Sequence, residues 1–104
     1  MQITRIFHSV FLVETAKRYF IFDYYKGELP KLNPDKPVYV FASHGHQDHY
    51  EPKVFELLKQ QGIVPKLAIL AKDIKEKKYP DGIPVLKAGF NAHYEIEADF
   101  LVDT

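Results

Sequence analysis

Val38–Ala71 reads VYVFASHGHQDHYEPKVFELLKQQGIVPKLAILA, and this stretch decides the fold class. Its first six residues, VYVFAS (38–43), form a short, nearly continuous apolar run, the pattern of a strand buried on both faces. EPKVFELLKQQG (51–62) then follows helical spacing. Pro52 suits the first helical position, where a missing N–H costs nothing. Val54, Leu57 and Leu58 form the apolar stripe, with Gln61 continuing the spacing. Gly62 suits a left-handed helix end. KLAILA (66–71) is a second buried strand. Strand, helix and strand predict a βαβ unit, whose crossover is right-handed if the strands are parallel.

Upstream the chain reads as strands. ITRIF (3–7), VFLVE (10–14) and RYFIFDYY (18–25) are rich in β-branched and aromatic residues, and the last two flank the short connection TAK (15–17). That arrangement predicts a β-hairpin. Gly27, Pro30, Asn33, Pro34 and Pro37 mark a loop over about 26–37. Downstream, KDIKEKKY (72–79) predicts a helical turn started by Asp73, with its lysines on a solvated face. PDG (80–82) predicts a turn. IPVLKAG, AHYEIEA and DFLVDT predict short strands of a meander. The class is α/β, a mixed and mostly β-sheet arrangement with one main helix at about 51–61, in a single domain over 1–104. No internal repeat, low-complexity segment or linker interrupts it.

Composition sets the limits. The 104 residues are 46% hydrophobic and 14% aromatic, which predicts a packed core rather than disorder. Fourteen basic residues balance fourteen acidic ones, so no bulk field draws the chain to nucleic acid or an anionic membrane. With no cysteine, disulfides and thiolate metal sites are excluded. The start, MQITRIFHSVFLVE, does not read as a signal peptide, and no apolar run approaches the roughly 20 residues that span a bilayer. The expectation is a cytoplasmic protein.

Between the first buried strand and the helix lies SHGHQDH (43–49), with His44, His46, Asp48 and His49 within six positions. Residues two apart in extended chain point the same way, so His44 and His46 can offer nitrogens to one ion. Asp48 and His49 lie where the chain turns towards the helix and can serve a second. Gly45 suits the close turning of such a loop. Imidazole and carboxylate without thiolate suit zinc, and also iron or manganese.

SHGHQDH resembles the metal-binding signature of the metallo-β-lactamase fold superfamily. HSVFLVETAKRYFIFDYY (8–25) is similar to that superfamily's opening hairpin, in which the second strand ends in an Asp; Asp23 stands at that position. The order of these segments is most similar to small bacterial hydrolase-like members. The resemblance covers about residues 3–62 well and the rest loosely. It implies an αβ/βα sandwich with a dinuclear metal centre, His44 and His46 on the first metal, and Asp48 and His49 on the second. Asp48 would also orient or deprotonate the nucleophile, and Asp23 would fix a histidine tautomer from behind. The reaction implied is metal-assisted hydrolysis of an ester, amide, lactone, thioester or phosphodiester. A diiron redox relative commonly has an acidic residue between the donors, where this chain has Gly45 and Gln47, so hydrolysis ranks first.

The superfamily completes its site from a second half-unit, and this sequence resembles the N-terminal half of the fold. Only one histidine follows the cluster, His93, which reads as a solvated strand position with a lesser claim as an additional ligand. Asp103 has a smaller claim still, and His8 reads as structural. Two alternatives follow from the resemblance: a hydrolase acting on a small molecule, completed by a C-terminal half or a second copy, or a non-catalytic metal-binding module that self-associates.

Overall fold

The computed structural model describes residues 2–7, 10–42, 51–88, 93–97 and 100–103, with backbone alone for 7, 88, 93–97 and 100–103. Six strands form one mixed sheet in chain order: β1 (Gln2–Phe7), β2 (Val10–Glu14), β3 (Tyr19–Phe22), β4 (Val38–Ala42), β5 (Leu67–Ala71) and β6 (Val85–Ala88). β1, β2 and β3 pair antiparallel, and β3, β4, β5 and β6 pair parallel. Among the described residues one α-helix, α1 (Lys53–Gln60), stands between β4 and β5. β7 (His93–Glu97) and β8 (Phe100–Asp103) pair antiparallel as a separate two-stranded sheet. The fold is α/β and mostly sheet, as the alternation of apolar runs and one helical stripe predicted.

The hairpin between β2 and β3 is closed by Thr15. Its hydroxyl oxygen accepts from the amides of Lys17 and Arg18 and donates to the carbonyl of Arg18, at 3.0–3.2 Å. A hydroxyl that satisfies its own turn in this way is a local substitute for strand pairing.

Parallel neighbours need long crossovers. Residues 23–37 connect β3 to β4 without a helix and are instead pinned by side chains. The Leu32 amide donates to Gln61 Oε1 at 2.8 Å, and Gln61 Nε2 donates to the Pro30 carbonyl at 3.0 Å. Lys36 Nζ donates to Glu14 Oε2 at 2.7 Å and to the Thr15 carbonyl at 2.9 Å, lying over the Tyr19 ring. The Tyr19 hydroxyl accepts from the Asn33 amide.

Alternation divides the sheet into two faces. On one face, Val10, Leu12, Ile21, Val38, Val40, Ala68 and Leu70 pack against Val54, Phe55 and Leu58 of α1. On the other, Phe20, Phe22, Tyr39 and Phe41 form an aromatic group, with Phe22 stacked on Phe41 at 4.8 Å between centroids. Tyr39 and Ile69 on this face are 0% and 3% exposed, so its centre is closed as well. β4 is therefore buried on both faces, as its continuous apolar run predicted.

Four local expectations are corrected. Pro52 precedes the helix instead of opening it: the amides of Val54 and Phe55 bond back three residues, to Glu51 and Pro52, so the first turn is tight and α1 proper starts at Lys53. The inward face is Val54, Phe55 and Leu58, and Leu57 lies at its half-buried margin. Asp73 starts no helix. Ile74, 2% exposed, draws the chain inward, and a single 3-10 turn follows at Glu76–Lys78. β6 is no meander strand. Residues 72–84 are long enough for a crossover, and β6 joins β5 in parallel; of the three strands expected in the meander, β7 and β8 pair antiparallel with each other. Gly62 takes φ +75°, the left-handed helix end its position predicted.

Candidate metal centre

The four strands β3, β4, β5 and β6 all point the same way, and open α/β sheets bind ligands outside the carboxyl ends of such strands. Asp23 directly follows the carboxyl end of β3. The segment bearing His44, His46, Asp48 and His49 follows the carboxyl end of β4. Residues 43–50 themselves lie outside the described residues, and His8 does too. What the structure describes is the frame that holds the two boundaries of that segment.

Both boundaries meet one dipeptide. The Asp23 amide donates to the carbonyl of Phe41 in β4 at 2.9 Å, and the Glu51 amide donates to the carbonyl of Tyr24, also at 2.9 Å. Eight extended residues can reach about 26 Å; here the two ends are held at neighbouring residues. Asp23 has φ +52°, in the left-handed region that few side-chain-bearing residues adopt and that Asp enters more readily than most. That left-handed step turns the chain off β3 and lets consecutive residues face opposite ends of the following connection.

Tyr24 is 5% exposed, and its hydroxyl donates to the Gly27 carbonyl at 2.7 Å. Tyr24 belongs to the core cluster that also includes Ala42, at the end of β4, and Val54, in the first turn of α1. Burial raises the Tyr24 pKa, and the nearby Glu51 carboxylate raises it further, so the phenol stays protonated as a donor. The Glu51 carboxylate also accepts from the Lys53 amide at 3.0 Å, satisfying one of the free donors at the start of α1.

Asp23 stands directly after β3, its amide bonded to Phe41 of β4. His93 lies directly opposite Asp103 in the β7–β8 register, and their backbones are brought together as cross-strand partners. A register shift between Glu95 and Glu97 interrupts the strict alternation expected for β7. Among the described residues, no group of three or more His, Asp or Glu side chains could hold a metal ion. Sequence reading missed Tyr24 and Glu51. The signal was a second aromatic after the strand-ending Asp in FDYY, and an acidic residue just before the helix-opening Pro52.

No protein-family model matches the chain, and no curated protein matches it in sequence. Among the described residues, no helix is long and apolar enough to cross a membrane.

Proposed function

We propose that the protein is a metal-dependent hydrolase of the metallo-β-lactamase type, acting through His44, His46, Asp48 and His49. The observation that carries this reading is the frame. A segment with three imidazoles and a carboxylate in six positions leaves the carboxyl end of a parallel strand, and its two ends are held at Asp23–Tyr24. The donor set fits a borderline cation such as zinc, and also iron or manganese, because the chain offers nitrogen and oxygen donors and no thiolate.

In this reading His44 and His46 hold one ion, and Asp48 and His49 hold a second. A bound cation pair supplies an acidified water and positive charge for the oxyanion that develops as a carbonyl or phosphoryl centre is attacked. Asp48 orients that water and accepts its proton. Asp23, on its left-handed turn after β3, would receive the N–H of a ligating imidazole and so select which nitrogen faces the ion. The histidines must be neutral to ligate, so occupancy falls as pH drops through the imidazole range.

A second reading is a metal-binding module without turnover that pairs with another copy. It is motivated by the ligand count within the cluster, whose four donors give each of two ions only two protein ligands. The two readings part on hydrolysis of generic esters, lactones and phosphodiesters by the zinc-loaded protein, with His46→Ala as control. Turnover lost in His46→Ala supports the hydrolase. Metal uptake without turnover in the unmodified protein supports the module. Turnover that survives His46→Ala refutes the assigned role.

A further inference from the structure

We infer that the Asp81–Gly82 peptide is a site of spontaneous covalent modification, where the turn before β6 leaves Asp81 open to conversion to isoaspartate through a cyclic imide. The inference stands apart from the metal reading and rests on the β5–β6 crossover alone. Asp81 is the one aspartate of the sequence followed by glycine, and both residues are exposed. In this chemistry the Gly82 amide nitrogen attacks Cγ of Asp81. The new N–Cγ bond closes a succinimide ring, and one carboxyl oxygen leaves as water, taking the amide proton and the carboxyl proton. Water then opens the imide at one of its two carbonyls. Breaking the N–Cγ bond restores aspartate. Breaking the bond from the nitrogen to the main-chain carbonyl carbon gives isoaspartate, whose main chain runs through the side chain and is one methylene longer.

The fold selects this peptide over other exposed aspartates. Glycine has no side chain to hinder ring closure, and no atom lies within 4 Å of where a Cβ would stand at Gly82. Among the described residues nothing accepts a hydrogen bond from the Gly82 amide, so no such bond has to break before the nitrogen attacks. The amides that follow the exposed Asp35 and Asp73 are committed: Lys36 donates to the Asn33 carbonyl at 3.2 Å, and Ile74 to the Ala71 carbonyl at 3.1 Å. Ile74 is also branched and 2% exposed, which hinders closure further. A main-chain hydrogen bond that must be given up first slows the attack by about 2- to 10-fold. The extra methylene falls just before Pro84, whose carbonyl accepts from the Ala68 amide at 2.9 Å where β5 and β6 begin to pair. The modification therefore acts on the attachment of β6, the last strand of the sheet.

The test is prolonged incubation of the whole folded chain at neutral pH, followed by peptide mapping with an aspartate-specific endoproteinase and mass spectrometry. Asp81→Glu, which alters an exposed side chain and would need a larger ring, and a urea-unfolded sample are run in parallel. In the folded chain, cleavage at residue 81 is expected to be lost with time, through a transient species lighter by one water. The loss should be faster than at residues 35 and 73 by about 2- to 10-fold or more. Asp81→Glu should form no isomer of the peptide that carries residue 81. A residue 81 that stays aspartate in the folded chain would overturn the inference, and conversion in urea alone would show that the turn holds the two groups apart. Conversion at residues 35 and 73 as fast as at 81 in the folded chain would overturn it too, by reducing the effect to a property of exposed aspartates in general. An isomer that persists in Asp81→Glu would overturn the assignment to Asp81.

Discussion

The amide of Glu51, just before α1, donates to the carbonyl of Tyr24, just after β3, across 2.9 Å. With the matching bond from Asp23 to Phe41, it joins the carboxyl ends of two parallel strands to the start of the helix that follows them. Backbone bonds of this kind are insensitive to side-chain identity. The frame of the candidate site is therefore a property of the topology, and the donor-bearing segment is attached to it at both ends.

Gln61 is the clearest single polar contributor to the β3–β4 connection. Its side chain accepts from the Leu32 amide and donates to the Pro30 carbonyl, so Gln61→Ala leaves two main-chain groups without their partners. Stability should fall by about 1–2 kcal/mol, measured by urea unfolding, with the urea dependence unchanged. A variant as stable as the parent would show that water replaces both bonds at no cost.

Tyr79 carries the opposite expectation. Its hydroxyl is buried, with no hydrogen-bond partner among the described residues, while its ring packs against the main core. Tyr79→Phe keeps the ring and removes a polar group that burial penalises, so the variant should be as stable as the parent or slightly more so. A loss above about 1 kcal/mol in thermal or chemical unfolding would reveal a partner for that hydroxyl.

The Glu14–Lys36 pair gives a pH signature. The hydrogen bond from Lys36 holds the Glu14 carboxyl below its ordinary value of 4.5, and the Lys36 charge adds to the effect. A carboxylate whose pKa is lowered on folding stabilises above its unfolded value, and that contribution disappears as pH falls through the lowered folded value. The difference in stability between the parent and Glu14→Gln should therefore be present at neutral pH and close below about pH 4. The pair is partly exposed, so the difference should also shrink in high salt. A difference that grows on acidification would contradict the assignment.

Much of the architecture was legible because it depends on periodicity. The apolar runs at 38–42 and 67–71 announced buried central strands, and the Gly62 helix end followed from its place after a helical stripe. β6 was not legible, because IPVL carries the same alternation whether it pairs in parallel or in a meander. Only the path of residues 72–84, drawn inward at Ile74, decides between them. Phe55 escaped for a related reason: a short helix with three buried positions can turn either flank of its stripe inward, and packing selects the flank. The candidate donors were visible as composition, whereas the clamp at Asp23–Tyr24 was not. It consists of main-chain bonds and one positive φ, for which residue type carries little signal.

The central claim is that the cluster after β4 holds metal, and the number of metal ions per chain tests it most directly. Elemental analysis of the purified chain, before and after addition of zinc and desalting, should give about one to two equivalents, falling in His44→Ala and further in a His44→Ala/His46→Ala double variant. A folded, unmodified chain that retains no zinc, or one whose zinc content is the same in the double variant, would contradict the account.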